Sequence, residues 1–194
     1  MAGKPKILCF SGGLRKGSFN KKLVKNAMRG AERAGAEVTY IDLRDYPMPI
    51  YDGDIEASDG VPENARKLRE IFKAHHGFLI ASPEYNSAIS AALKNTIDWV
   101  SRPEGDDKAL VGFTGKVAGI MAASPGALGG LRGLVHLRAI LENIAIIVIP
   151  NQVAVSKAQE AFDENDVLKD EKQRASVEAI GERLATVAAK LNAE

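Results

Sequence analysis

"KILCFSGGLRKGSFN" (residues 6–20) governs the reading of the whole chain. Its opening run, "KILCF", is too continuously apolar to leave one face in water, which suits a strand of a parallel sheet covered on both sides. The turn that follows gathers Gly12, Gly13 and Gly17 with the hydroxyls of Ser11 and Ser18, the cations Arg15 and Lys16, and the amide of Asn20. The glycines let the backbone bend so that amide hydrogens point inward as a nest. The side chains add donors and charge, and the helix that follows adds the positive end of its dipole. The natural occupant of such a turn is a phosphate.

Residues that are missing narrow the kind of phosphate. Gly12 to Gly17 has the G-x-x-x-x-G spacing of a P-loop. However, Ser18 stands where that motif needs Lys, and Phe19 where it needs a magnesium-holding hydroxyl. The dinucleotide pattern G-x-G-x-x-G fails at Leu14, where the backbone has to approach a pyrophosphate. A terminal phosphate monoester remains. The plainer alternative is a glycine-rich turn that ends in Ser18 as a helix N-cap.

Outward from this turn, short apolar runs alternate with amphipathic stretches. The strand candidates are 6–10, 37–43, 77–82, 116–124 and 145–150. Helical spacing follows each of them, with Leu23, Ala27, Ala31 and Ala34 sharing one face of the first helix and Leu68, Ile71 and Phe72 one face of the second. Five β-α units with short, right-handed connections make an α/β doubly wound open sheet with helices on both faces. The stretch 44–60, "RDYPMPIYDGDIEASDG", reads as a long polar loop. The 194 residues, 45% of them hydrophobic, suit one domain spanning 1–194.

A formal net charge of +1, from 26 basic and 25 acidic residues without single-sign blocks, points to neither nucleic acid nor an anionic membrane as partner. No apolar run approaches about 18 residues and no signal-peptide pattern opens the chain, so a cytoplasmic location is expected. The lone Cys9 lies inside the first apolar run and reads as a buried, inert thiol. His75 and His76 fall at the start of the third strand, the wrong end for a ligand crevice, and His136 falls within a helix. All three read as surface or packing residues, and no metal-ligand spacing is present.

Two further strand ends converge on the same crevice, because open parallel sheets bind ligands at their carboxyl edge where the winding reverses. In "SPEYNSAISAALKNTIDWVSRP" (82–103), Pro83 interrupts the ladder and releases backbone groups. Glu84, Tyr85 and Asn86 then offer a carboxylate, a flat face and a donor–acceptor pair suited to a planar heterocycle. Alternatively, Tyr85 packs and Asn86 caps the next helix. Trp99 reads as packing. In "ASPGALGGLRG" (123–133), Ser124 and Gly126 can close the far side.

The segments "GGLRKGSFN", "SPEYNSAISAALKNTIDW" and "SPGALGGLRG", in this order over nearly the whole chain, resemble the NADPH-dependent FMN reductase family, and within it the bacterial quinone and chromate reductases. The resemblance implies a flavodoxin-like sheet of strand order 2-1-3-4-5 and non-covalent FMN with NAD(P)H as co-substrate. By motif match, Ser11, Gly13, Leu14, Arg15, Lys16, Ser18, Phe19 and Asn20 form the phosphate loop, with Ser11, Arg15, Ser18 and Asn20 as side-chain donors. Pro83, Glu84, Tyr85 and Asn86 line the ring system, and Ser124 and Gly126 close it. The family usually carries Ser where this chain has Gly13, a loss of one donor worth about 1–3 kcal/mol that leaves the Gly13 amide in place.

The implied activity is ping-pong transfer of electrons from NAD(P)H to quinones, flavins or similar acceptors, chromate included. The flavin supplies the chemistry and no catalytic side chain is named. Homodimers or homotetramers are implied, with the helix after Pro83 and the 44–60 loop as contact surfaces. Two alternatives share the fold: a flavodoxin-type electron carrier, disfavoured by the near-neutral charge, and a non-catalytic phosphate-ligand module.

Overall fold

The computed structural model describes residues 3–193. In chain order the elements are β1 (Lys6–Ser11), α1 (Phe19–Arg33), β2 (Glu37–Asp42), α2 (Gly53–Asp59), α3 (Glu63–Lys73), β3 (Gly77–Ala81), β4 (Glu84–Tyr85), β5 (Ala88–Ile89), α4 (Ala91–Val100), β6 (Val117–Ala123), α5 (Leu131–Asn143), β7 (Ile147–Val155), α6 (Ala158–Ala161) and α7 (Glu171–Leu191). The five long strands form one sheet of order β2-β1-β3-β6-β7, parallel throughout. This is the flavodoxin-like arrangement, with β1 and β3 adjacent at the reversal of winding.

The continuous apolar runs of the central strands serve two cores at once, because alternate side chains point to opposite faces. Ile7 and Cys9 face α1 and α7, meeting Leu23, Ala27, Val177, Ile180 and Leu184. Leu8 and Phe10 face α3, α4 and α5, meeting Leu68, Phe72, Leu93, Ile97 and Leu134. Each of the buried Leu, Ile, Val and Phe side chains among them contributes about 1.5–3 kcal/mol relative to exposure. Burial also pushes the Cys9 thiol far up from its ordinary range, which keeps it protonated. Ala34, expected on the buried face of α1, is instead its exposed C-cap.

Small residues set how closely α1 and α7 approach. A Cβ on Gly30 would lie 1.9 Å from the carbonyl oxygen of Glu178, and one on Gly181 2.0 Å from that of Ala27. Backbone therefore packs on backbone at this crossing, drawing α7 onto the helix that opens the crevice.

Three local structures differ from the sequence expectations. Segment 44–60 is not a plain loop: a 3-10 turn at Leu43–Asp45 and helix α2 occupy much of it, each capped by a preceding aspartate, Asp42 and Asp52. The last strand does not stop at Pro150 but runs to Val155, with an irregularity between the pairings Ala118–Val148 and Ile120–Gln152. An edge strand tolerates the missing proline N–H, and Arg138 donates to the carbonyls of Val148 and Ile149 there. Finally, β4 and β5 form a hairpin whose two turn residues, Asn86 (φ 50°) and Ser87 (φ 67°), are both left-handed, as a type I′ turn requires.

Candidate flavin site

Three chain segments meet at the carboxyl edge of β1, β3 and β6 around one crevice. Arg15, Gly17, Ser18, Phe19 and Asn20 form its first wall, Pro83, Glu84 and Tyr85 the second, and Ala123, Ser124 and Pro125 the third.

The first wall is the amino end of α1. Ser18 holds the N-cap position in extended geometry, yet its hydroxyl makes no capping hydrogen bond. The Lys21 N–H closes back on the Ser18 carbonyl at 3.0 Å. The N–H groups of Phe19 and Asn20 have no partner among the described residues. Two backbone donors, the free and accessible hydroxyl of the otherwise buried Ser18, the helix dipole and the exposed Arg15 therefore line one spot. The N-cap reading of Ser18 holds for its backbone only; its side chain remains available to a ligand.

The glycines of this turn do not work as expected. None of Gly12, Gly13 and Gly17 has a positive φ, so the donors come from the helix end rather than from a nest. Gly12 is instead required by space, because a Cβ there would meet the Leu93 Cβ at 2.9 Å, whereas one on Gly13 would meet only the movable Ser18 Oγ at 2.9 Å.

Several predicted ligands have other tasks. The Gly13 N–H donates to the Ser11 Oγ at 3.0 Å, so that amide is not free for a phosphate. Leu14 turns away into a neighbouring apolar groove with Leu43, Tyr46, Met48, Ile50 and Ala91, and Lys16 is exposed outside the crevice wall. Phe19 contributes its backbone, while its ring stacks on Phe162 with centroids 6.4 Å apart and planes 3° from parallel.

Asn20 departs most from its expected role. Its Oδ1 accepts from the Ala123 N–H at 2.8 Å and its Nδ2 donates to the Ala123 carbonyl at 2.9 Å, so both ends of the side chain are occupied within the protein. The Asn20 contribution to an anion is its backbone N–H, not its carboxamide.

In the second wall, the Glu84 side chain points away from the crevice. One carboxylate oxygen accepts from the Gly133 N–H in the first turn of α5 at 2.9 Å, and the other lies 3.3 Å from Arg132. A carboxylate at a helix amino end is stabilised by the dipole, so Glu84 anchors the hairpin and leaves the backbone of 83–85 facing the crevice. Tyr85 is 53% exposed, presenting its ring to solvent at the mouth. Asn86 occupies the left-handed turn and does not cap the next helix; Ser90 does, accepting from the Leu93 N–H at 3.1 Å. In the third wall, Gly126 is exposed and outside the lining, and it donates its N–H to the Ser124 Oγ at 3.3 Å.

The motif residues beyond the crevice fasten segment 47–51. Trp99, fully buried, donates Nε1–H to the Pro49 carbonyl at 2.8 Å, and Asn95 donates to the same oxygen at 2.9 Å while accepting from the Tyr51 N–H at 2.7 Å. Next to them, Arg102 and Tyr51 both donate to Glu56 and hold its carboxyl below the usual range, Arg102 contributing most. His75 and His76 lie at the opposite, amino edge of the sheet. The ring of His76 accepts the Lys6 N–H at 2.9 Å there, and burial lowers its pKa. Ala123 was invisible to sequence reasoning as a site residue, because its part is played entirely by its peptide groups.

Comparison with known proteins fits this geometry. The sequence profile of NADPH-dependent FMN reductases matches residues 5–160. An NAD(P)H-dependent FMN reductase of Pseudomonas aeruginosa is 36% identical over 175 residues, covering 90% of each chain. A quinone reductase of Escherichia coli is 37% identical over 142 residues, covering 73% of this chain and 71% of that one. Among solved structures, the flavoenzyme NAD(P)H:(acceptor) oxidoreductase FerB of Paracoccus denitrificans superposes with a TM-score of 0.80 at 25% identity, covering 96% of this chain and 98% of that one. With the sheet order, the crevice and the profile in agreement, the chain belongs to the NADPH-dependent FMN reductase family.

Proposed function

We propose that the protein is an FMN-dependent oxidoreductase that takes electrons from NAD(P)H and delivers them to quinones or free flavins, the whole chain acting as a single FMN-binding domain. The observation that carries this reading is the amino end of α1. Two unpartnered backbone donors and the uncommitted Ser18 hydroxyl face a crevice whose far walls are residues 83–85, with the exposed Tyr85, and 123–125. These groups fit FMN: the donors and Arg15 suit its phosphate, and the 83–86 and 124–126 segments suit its ring system. When bound, FMN supplies the redox chemistry, accepting a hydride equivalent and returning two electrons.

The chain's own residues bind and orient. Ser18, Arg15 and the α1 amides hold the anionic end. The hairpin, pinned by Glu84 to α5, sets the height of Tyr85 over the crevice mouth. The mouth stays open enough for flat donors and acceptors to exchange, which supports ping-pong kinetics. Chromate is an acceptor within reach of such a site by electron transfer, without a dedicated pocket.

Self-association as a homodimer, or a tetramer of such dimers, is part of the proposal. Leu14 of the crevice turn shares an apolar groove with Tyr46, Met48 and Ile50 of the fastened segment and with Ala91 of α4, and Ile50 is 83% exposed. Apolar surface of this kind beside a ligand crevice is suited to burial by a second copy. No helix among the described residues is long and apolar enough to cross a membrane. A cytoplasmic location accords with that, with a nicotinamide co-substrate and with the buried thiol of Cys9.

Anaerobic addition of NADPH to the FMN-loaded protein is the test. Rapid bleaching of the flavin band near about 450 nm, with parallel double-reciprocal plots against a quinone, is expected. A protein that binds FMN but is not reduced by NADPH or NADH is a carrier, and one that takes up no FMN is neither.

A further inference from the structure

We propose that Asn20 is a positioning residue: its carboxamide takes the place of a missing strand and locks the phosphate wall of the crevice to its far wall. The reason lies in how β3 ends. Its last ladder bond runs from the Ser82 N–H to the Met121 carbonyl at 2.9 Å, and Pro83, which has no N–H, cannot continue it. β6 runs on to Ala123. There the Ser124 N–H turns toward β7 and bonds Val155, while the Ala123 peptide groups face the side that β3 has left.

A buried N–H and C=O without partners would each cost about 1–3 kcal/mol. A carboxamide has the same donor and acceptor as a peptide unit. Asn20, 3% exposed and 103 residues away in sequence, supplies both at 2.8 and 2.9 Å. The residue that closes the ladder is the second residue of α1, two positions after Ser18, and its own backbone N–H is one of the two free amides. The peptide it holds leads directly into Ser124 and Pro125. One side chain thus sets the distance between the two walls.

This inference rests on the FMN reading above, and it makes a statement that reading does not. A side chain that ligates the phosphate affects FMN and leaves riboflavin, which lacks the phosphate, untouched. A side chain that positions both walls affects the two ligands alike. Dissociation constants for FMN and for riboflavin, measured by quenching of flavin fluorescence on wild-type, Asn20→Ala and Ser18→Ala apoprotein well below their melting temperatures, separate the cases.

Asn20→Ala is expected to raise both constants about tenfold, with increased deuterium uptake at the Ala123 amide. Ser18→Ala is expected to raise the FMN constant about tenfold and to change the riboflavin constant less than twofold. An Asn20→Ala protein that loses FMN alone would make the carboxamide a phosphate ligand, and one that melts earlier but binds both ligands normally would make it a fold contact; either result overturns the proposal. If Asn20→Ala does not fold, Asn20→Ser, which stays polar and uncharged but is too short to reach both Ala123 groups, is read in the same way. Wild-type protein that binds neither ligand would instead sink the FMN reading itself.

Discussion

A Cβ placed on Gly13 would sit 2.9 Å from the Ser18 Oγ and 3.4 Å from the Ser11 Oγ, so this glycine leaves room for two hydroxyls to converge. The Ser18 hydroxyl is a movable end, and an added methyl would rotate it rather than break the fold. Gly13→Ala is therefore expected to lower FMN affinity about tenfold with little loss of stability, because the rotated hydroxyl no longer faces the anion. Gly13→Ser should lose less, since it brings its own hydroxyl. Fluorescence titration checks both, and unchanged affinity in Gly13→Ala would remove Ser18 from the phosphate site. The residue types of this turn were legible from sequence, but their tasks were not. Ser11 accepts from a neighbouring amide, Leu14 joins an apolar groove and Asn20 closes a ladder, because each is claimed by a partner that the local sequence does not display.

The central strands were readable as short, continuously apolar runs and the helices α1, α3, α4, α5 and α7 from their 3.6-residue spacing. The hairpin, α2 and the far half of β7 were not. The two-residue strands are too short to show a period, and Pro150 imitates a strand end. The stretch "LKNTIDW" acts at the scale of the element. Asn95 and Trp99 reach from one face of α4 to the backbone of 49–51, and Pro49 receives both. Asn95→Ala is expected to destabilise the fold by about 2 kcal/mol in urea unfolding, because it strands the Tyr51 N–H and half-releases the Pro49 carbonyl. Trp99→Phe should cost the carbonyl one of its two donors but keep the ring packing, for a loss of about 1 kcal/mol. Equal losses would mean that packing, not the shared carbonyl, fastens the segment.

At the scale of the molecule, the fastened segment has a further consequence. It holds Ile50 out beside the crevice at 83% exposure, on the surface proposed for a second copy. Ile50→Lys is expected to weaken dimerisation about 100-fold and shift sedimentation toward the monomer, while FMN-phosphate contacts stay intact. A wild-type chain that sediments as a monomer at micromolar concentration, or a variant that still associates normally, would contradict this.

The sequence by itself determined the α/β class and the place of the crevice, since alternating apolar runs and amphipathic helices with right-handed connections leave few other architectures, while the strand order came only with the family resemblance. It also carried the family through three short segments. Tertiary structure alone decided which donors are free. A side chain's hydrogen-bonding capacity is local, but whether it is already satisfied depends on what the fold brings against it, as with Asn20 and Ala123 across 103 residues.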